Sequence, residues 1–393
     1  MANKYHRGAV SIFSVIFAAL LLMVLTVGFI TLMISAQRRA LDNDLSQSAY
    51  DSALAGVEDA KRAVSSYLKG NSVARSAFND SEKRSDCYII ARSGINGENG
   101  KETIISSTSG SGKEFNQAYT CVNIDMDSDD YLYTAVQNKS HIVPLISDAE
   151  IGSVTVEWFM RSDTGNPAAV ATFDGSLGGV GFPVLSGWGG AAGGLTTPPV
   201  MRAQLISPGE PFIIEDLDGT SASSTLFLRP SSTGANEVII NEGSPARFSI
   251  NRGHDSGDTG SSSGTNPTRI SCSSTFDLAG YSCRAILKLE DGRKIASGAM
   301  HSPILRLDTI YGHAPVSVRV SMKAADGSAA KFKGVQPVVD STGRANDLFR
   351  RVKVRLKLGD DITIPSYAVD LGGSFCKDFS VSIDQVIAGV CVP

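Results

Sequence analysis

From Ala9 to Ala36 the chain runs for 28 residues without one charged side chain. At about 1.5 Å of rise per residue this stretch makes roughly 42 Å of helix, more than the roughly 30 Å hydrocarbon core of a bilayer. It is also longer than the roughly 7–15-residue apolar core of a secretory signal. Lys4 and Arg7 precede it and Arg38 and Arg39 follow it, so the flanking charges alone do not orient it. Export of the larger, cysteine-bearing part favours an inward N-terminus. Three readings are open at the junction RGAVSIF (residues 7–13). The run is a signal removed whole, with ISA before Gln37 as the peptidase site; or a plain anchor; or a segment cut at its edge and kept.

The apolar pattern does not end at the membrane edge. Leu41, Leu45, Ala49, Ala53, Val57, Ala60, Val64 and Leu68 recur at steps of three and four, with acids, amides and bases between them. That is an amphipathic helix with one stripe to bury. No proline interrupts residues 9–68, and Gly70 followed by Asn71 reads as a C-terminal stop. One helix of about 90 Å is therefore expected, half in lipid and half outside it.

These residues carry a resemblance. A short basic leader ending in glycine, a small residue, and a long apolar helix that continues amphipathically resemble a type IV pilin-like protein. The stretch QSAYDSALAGVEDAKRAV (residues 47–64) is similar to the corresponding segment of PilX-like minor pilins, best at Ala53, Ala55, Gly56, Val57 and Glu58. The resemblance covers about residues 1–68. It implies cleavage between Gly8 and Ala9 by a prepilin peptidase and a methylated Ala9 as the new N-terminus. It also implies other pilin subunits as partners, meeting through the 37–68 stripe. One position departs from the family pattern: Phe13 stands where most pilins carry the assembly glutamate. That departure points away from a filament-building major subunit and towards a minor, tip-type one.

Beyond about residue 85 the period changes to short β-prone runs such as SVTVEWFM, PVSVRVSM and FRRVKVRLKL, separated by Gly, Asn, Asp and Ser. At least eight such runs without convincing helices between them predict an α+β protein: the long N-terminal helix, then a large disulfide-braced antiparallel β-rich head. The expected divisions are a leader 1–8, a membrane helix 9–36, its amphipathic extension 37–70, and two head parts, 71–265 and 266–393. The first part contains the glycine-rich loop 174–195. The polar Gly/Ser run 251–268 marks the seam.

Composition narrows the function classes. Residues 1–39 hold four bases and no acid, whereas the rest carries 32 bases against 40 acids, so nucleic acid is not expected as a partner. Six cysteines, Cys87, Cys121, Cys272, Cys283, Cys376 and Cys391, follow the export segment and none lies in it. An even count there reads as disulfides, with neighbour pairing favoured among the connectivities available. No C-x-x-C or H-E-x-x-H spacing occurs, SYLK at residues 66–69 lacks its companion signature, and no phosphate loop or nucleophile elbow is complete. No enzyme and no cofactor are therefore expected. Asp125, Asp127 and Asp129 alternate as calcium ligands do, but lack the glycine and glutamate of a full calcium loop.

The reading that results is a minor-pilin or pseudopilin-like subunit of a type IV pilus or related secretion machine. It is a single-pass cytoplasmic-membrane protein with its head outside the cytoplasm, placed at or near a filament tip for assembly priming or surface adhesion. The alternative is a signal-anchored extracytoplasmic β-sandwich protein, an adhesin or envelope component, that is neither processed nor polymerised.

Overall fold

The computed structural model describes residues 7–79, 86–105, 116–136, 139–163, 197–206, 223–231, 237–240, 268–273, 275–276, 279–289, 302–310 and 315–357. The glycine-rich loop 174–195, most of 251–268, Cys376 and Cys391 lie outside these residues.

Helix α1 spans Arg7–Leu68 without a break. It ends where glycine makes the left-handed turn available: Gly70 has φ +87°, its N–H donates to Tyr67 O, and Asn71 N–H donates to Ser66 O. The Asn71 side chain then accepts from Val73 N and Ala74 N at 3.0 and 3.1 Å, capping α2 (Ser72–Asn79). A further short helix, α3, covers Ile89–Arg92.

The chain folds as two compact units, which divide after Ser128 and after Val335. The first contains the three helices and a four-stranded sheet in the order β1 (Thr103–Ile105), β2 (Gln117–Ser128), β14 (Phe332–Ala345, counted here from Gln336) and β15 (Leu348–Arg355). β1 pairs antiparallel with β2, and β14 with β15. The β14–β15 connection is the two-residue turn Asn346–Asp347, with Asn346 at φ +49°, a region asparagine enters more readily than most residues. The Cys87–Cys121 disulfide ties the segment before α3 to β2.

The second unit contains two sheets around one core. One has six strands: β13 (Ala329–Ala330), β12 (Val316–Ala324), β5 (Ile151–Met160), β10 (Tyr281–Leu289) and β8 (Glu237–Ile240) in that order, with β3 (Asp130–Ala135) also on β12. The other runs β4 (His141–Pro144), β11 (Ile304–Ile310), β6 (Val200–Ile206), β7 (Ser223–Ser231), β9 (Thr268–Ser271). Alternation puts Val154, Val156 and Trp158 of β5 into the shared core with Met201, Leu228 and Leu305 of the other sheet. Trp158 is fully buried, and its Nε1–H donates to Pro199 O at 3.0 Å. The Cys272–Cys283 disulfide lies in this core.

One feature differs from the sequence reading. β8 on β10 and β9 on β7 pair parallel, so the head is mainly rather than wholly antiparallel. The boundary expected at 265 falls outside the described residues, and the compact units divide elsewhere. β2 and β14 are neighbours in one sheet although about 200 residues separate them, and the second unit occupies the sequence between them. A Gly/Ser run advertises a loop; only strand pairing fixes which segments share a core.

Candidate functional site

The feature of the first unit that points to function is α1 itself, which is two structures in one helix. From Ile12 to Ala36 its apolar side chains are bare; Phe13, at the family's glutamate position, is 77% exposed. By length and composition this helix can cross a membrane. Its polar side chains are suited to that environment. Thr26 Oγ1 donates to Met23 O at 2.9 Å, Thr31 Oγ1 to Gly28 O at 2.8 Å, and Ser35 Oγ to Leu32 O at 2.8 Å. Each hydroxyl is thereby satisfied within the helix, which removes most of the cost of placing it in hydrocarbon. Gly8 and Ala9 lie in the first turn of α1.

Further along, the same helix packs on its own sheet. Ala49, Ala53, Val57, Ala60 and Val64 are buried, while the ends of the stripe are not: Leu41 is 58% and Leu68 51% exposed, and Leu45 is half-buried. This corrects one expectation. The middle of the stripe is covered within this chain, by its own strands and short helices, so those five residues are not available to helices of other subunits. The sequence pattern demanded burial but did not say against what. The approach is close because both surfaces carry glycine. A Cβ on Gly343 of β14 would collide with Ala53 N and Ala49 O, and one on Gly56 with Ser341 Oγ.

Sequence reasoning missed the polar centre of this interface. Asp59, in the helical stripe, is buried and accepts from Tyr119 Oη and Asn96 Nδ2 at 2.9 Å each, and from Arg62 Nη1 at 3.3 Å. Burial, with Asp59 adding to it, raises the Tyr119 hydroxyl well above its ordinary pKa, so it stays a donor. The available signal was an acid at a buried helical step. On the outer face of the same sheet, Arg344 forms a two-pronged pair with Glu102, and Arg351 another with Asp340. These arginine hydrogen bonds hold both carboxyls below their ordinary values.

In the second unit two polar clusters are built into the sheets. Glu157, 3% exposed, sits between Arg284 (Nη2 to Oε1, 2.7 Å) and Arg319 (Nε to Oε2, 2.5 Å) in one cross-strand row, with the Arg319 guanidinium 5.0 Å from the Tyr281 ring centre. His141 stacks on Tyr133 at 3.8 Å and shares a 2.9 Å hydrogen bond with the Tyr131 hydroxyl, whose pKa burial pushes up to about 12.

Asp125, Asp127 and Asp129 do not converge. Asp125 Oδ1 accepts from Asp127 N at 3.0 Å, and Asp129 pairs with Lys331 at 3.2 Å. Among the described residues no group of three His, Cys, Asp or Glu side chains is placed to hold a metal ion. Residues two apart on a strand share a face, so Asp125 and Asp127 do lie on one side of β2. Asp129 falls at the bend after the strand and is engaged by Lys331 instead.

Comparison with models of known protein families, with curated proteins and with solved structures returns no match.

Proposed function

We propose that the protein is a non-catalytic, minor-pilin-type subunit, membrane-held through residues 9–36 and carrying an enlarged β-rich head outside the cytoplasm. The observation that supports this most is the continuity of α1. One unbroken helix is bare over a membrane-crossing length and then becomes the spine on which a four-stranded sheet is built. A plain anchor has no need to pass rigidly into its domain; a subunit drawn out of the bilayer by its helix does.

In this reading a prepilin peptidase cuts between Gly8 and Ala9, and Ala9 becomes the methylated N-terminus. Because the stripe from Ala49 to Val64 is occupied, contact with other pilin subunits falls to the exposed 12–36 segment. Phe13 supplies no carboxylate for a neighbour's terminal amine, which fits a subunit at or near a tip rather than in the shaft. The large β-rich head then primes assembly or touches a surface.

The mass of the mature N-terminal peptide, after co-expression with a prepilin peptidase, tests the proposal. The expected result is a chain starting at methylated Ala9, lost in Gly8→Val. A start near Met1 overturns it in favour of the uncut anchor, and a start at Gln37 in favour of a cleaved secretion signal.

A further inference from the structure

The base of α1 and the β14–β15 turn come together from residues about 300 positions apart. Arg350 Nε donates to Ser46 Oγ at 2.8 Å, which fixes the start of β15 against the helix about 15 Å beyond its apolar run. A shallow groove there is lined by Asp42, Leu45, Asn346, Asp347, Leu348 and Phe349 among others. Phe349 is 56% exposed, on a strand whose other exposed side chains are Arg350, Arg351 and Lys353. Leu41 is exposed one turn before Leu45.

The sides of the helix differ in charge at this level. At 3.6 residues per turn, Arg38, Arg39, Leu45 and Ser46 share the side that carries Ala49 and Ala53, where the sheet lies. Asp44 and Asp51 lie on the opposite side. Arg38 and Arg39 are exposed and sit only about 12 Å below Ser46 along the helix. Among the described residues, Asp42 and Asp347 are acids on the basic side, and Glu102 sits by the same groove paired with Arg344.

Length supplies the second argument. The uncharged run of about 42 Å exceeds a hydrocarbon core of about 30 Å, and a helix buries such an excess chiefly by tilting. Tilt brings one side of whatever follows the helix down to the headgroups. The side that gains is the one with the exposed Phe349 and the arginines, which suit the interface, with Leu41 on its flank; the opposite side would press Asp44 and Asp51 against anionic lipid.

We infer that the β14–β15 turn, with Phe349 and Arg350, and the helix base at Arg38, Arg39 and Leu41 form a foot on the bilayer surface, with a preference for anionic lipid. Phe349 and Leu41 enter the headgroup layer, and the arginines meet phosphates. The foot holds the first unit in one orientation at the membrane while the helix is still embedded. The inference rests on the membrane part of the proposed function and not on cleavage or assembly.

Tryptophan fluorescence of the full chain in vesicles tests it. Phe349→Trp places a probe at the foot, and Leu68→Trp places one about 40 Å further along α1, at a position already exposed. The emission gained over the wild-type protein is quenched with brominated phosphatidylcholine and, separately, with aqueous iodide. The expected result is at least twofold stronger lipid quenching at 349 than at 68, with the reverse order for iodide. Adding phosphatidylglycerol increases the lipid quenching, and Arg38→Glu with Arg39→Glu abolishes that increase. Equal iodide quenching at both positions, with no lipid quenching at 349 in protein that floats with the vesicles, overturns the foot and leaves the membrane helix standing. Protein that does not float with the vesicles overturns the membrane reading and the foot together.

Discussion

The two units cover their apolar surface in opposite ways. The first brings a helix onto a sheet through small residues: Ala49, Ala53, Gly56, Ala60 and Gly343 let backbone approach backbone, and one buried carboxylate, Asp59, fixes the contact. The second fills the space between two sheets with bulk, centred on Trp158 and rows of Val, Leu and Met. Close approach tolerates no added atoms; a filled core tolerates no lost ones. Mutations of opposite sense should therefore separate the two units.

Trp158→Ala should have the largest effect, about 3–5 kcal/mol, confined to the second unit. Hydrogen exchange would show β5, β10 and β12 losing protection while α1 and β2 keep theirs. Gly343→Val should cost about 3 kcal/mol in the first unit, since its side chain needs the space that the helix backbone occupies. If exchange at Ala49–Val64 is unchanged in that variant, the helix does not depend on the close approach. Replacing Cys272 and Cys283 by Ser should cost about 2–3 kcal/mol, read as the urea midpoint of the second unit's transition. Asp59→Ala should cost about 1–3 kcal/mol in the first unit by leaving the Tyr119 hydroxyl and Asn96 amide without their acceptor.

The smallest expected effect is one of pH. Glu102 and Asp340 are held below their ordinary values of 4.5 and 3.8 by Arg344 and Arg351. A carboxyl with a lowered folded-state pKa contributes stability that is full above its unfolded value and is lost as pH falls through the folded one. The first unit should thus weaken below about pH 4, modestly because both pairs are partly solvent-screened. Arg344→Met with Arg351→Met should flatten that acid limb in urea titrations at pH 3 and 6.

Much of the first unit was legible because its signals are local. An uncharged run, a three-and-four repeat and a glycine stop each act over a turn or two of helix, and α1 ends at Leu68 beside Gly70. The β character of VTVEW was legible for the same reason, through alternation. The candidate site was legible only in part. Gly8, Ala9 and Phe13 stand out in the sequence, but Asp59 and Arg350 did not, since an aspartate at a helical step and an arginine in a basic strand look solvated until a remote partner is known.

The sequence alone determined the elements: a membrane-length helix continuing as an amphipathic one, then strands, with cysteines close enough in sequence to bridge. Only the tertiary structure decided the partners. It placed β14 beside β2 across about 200 residues, turned the stripe from Ala49 to Val64 inward onto the chain's own sheet, and set Phe349 beside the helix base. Periodicity reports which face of an element must be buried. What buries it is settled by pairing and close packing between segments whose separation in sequence carries no local trace.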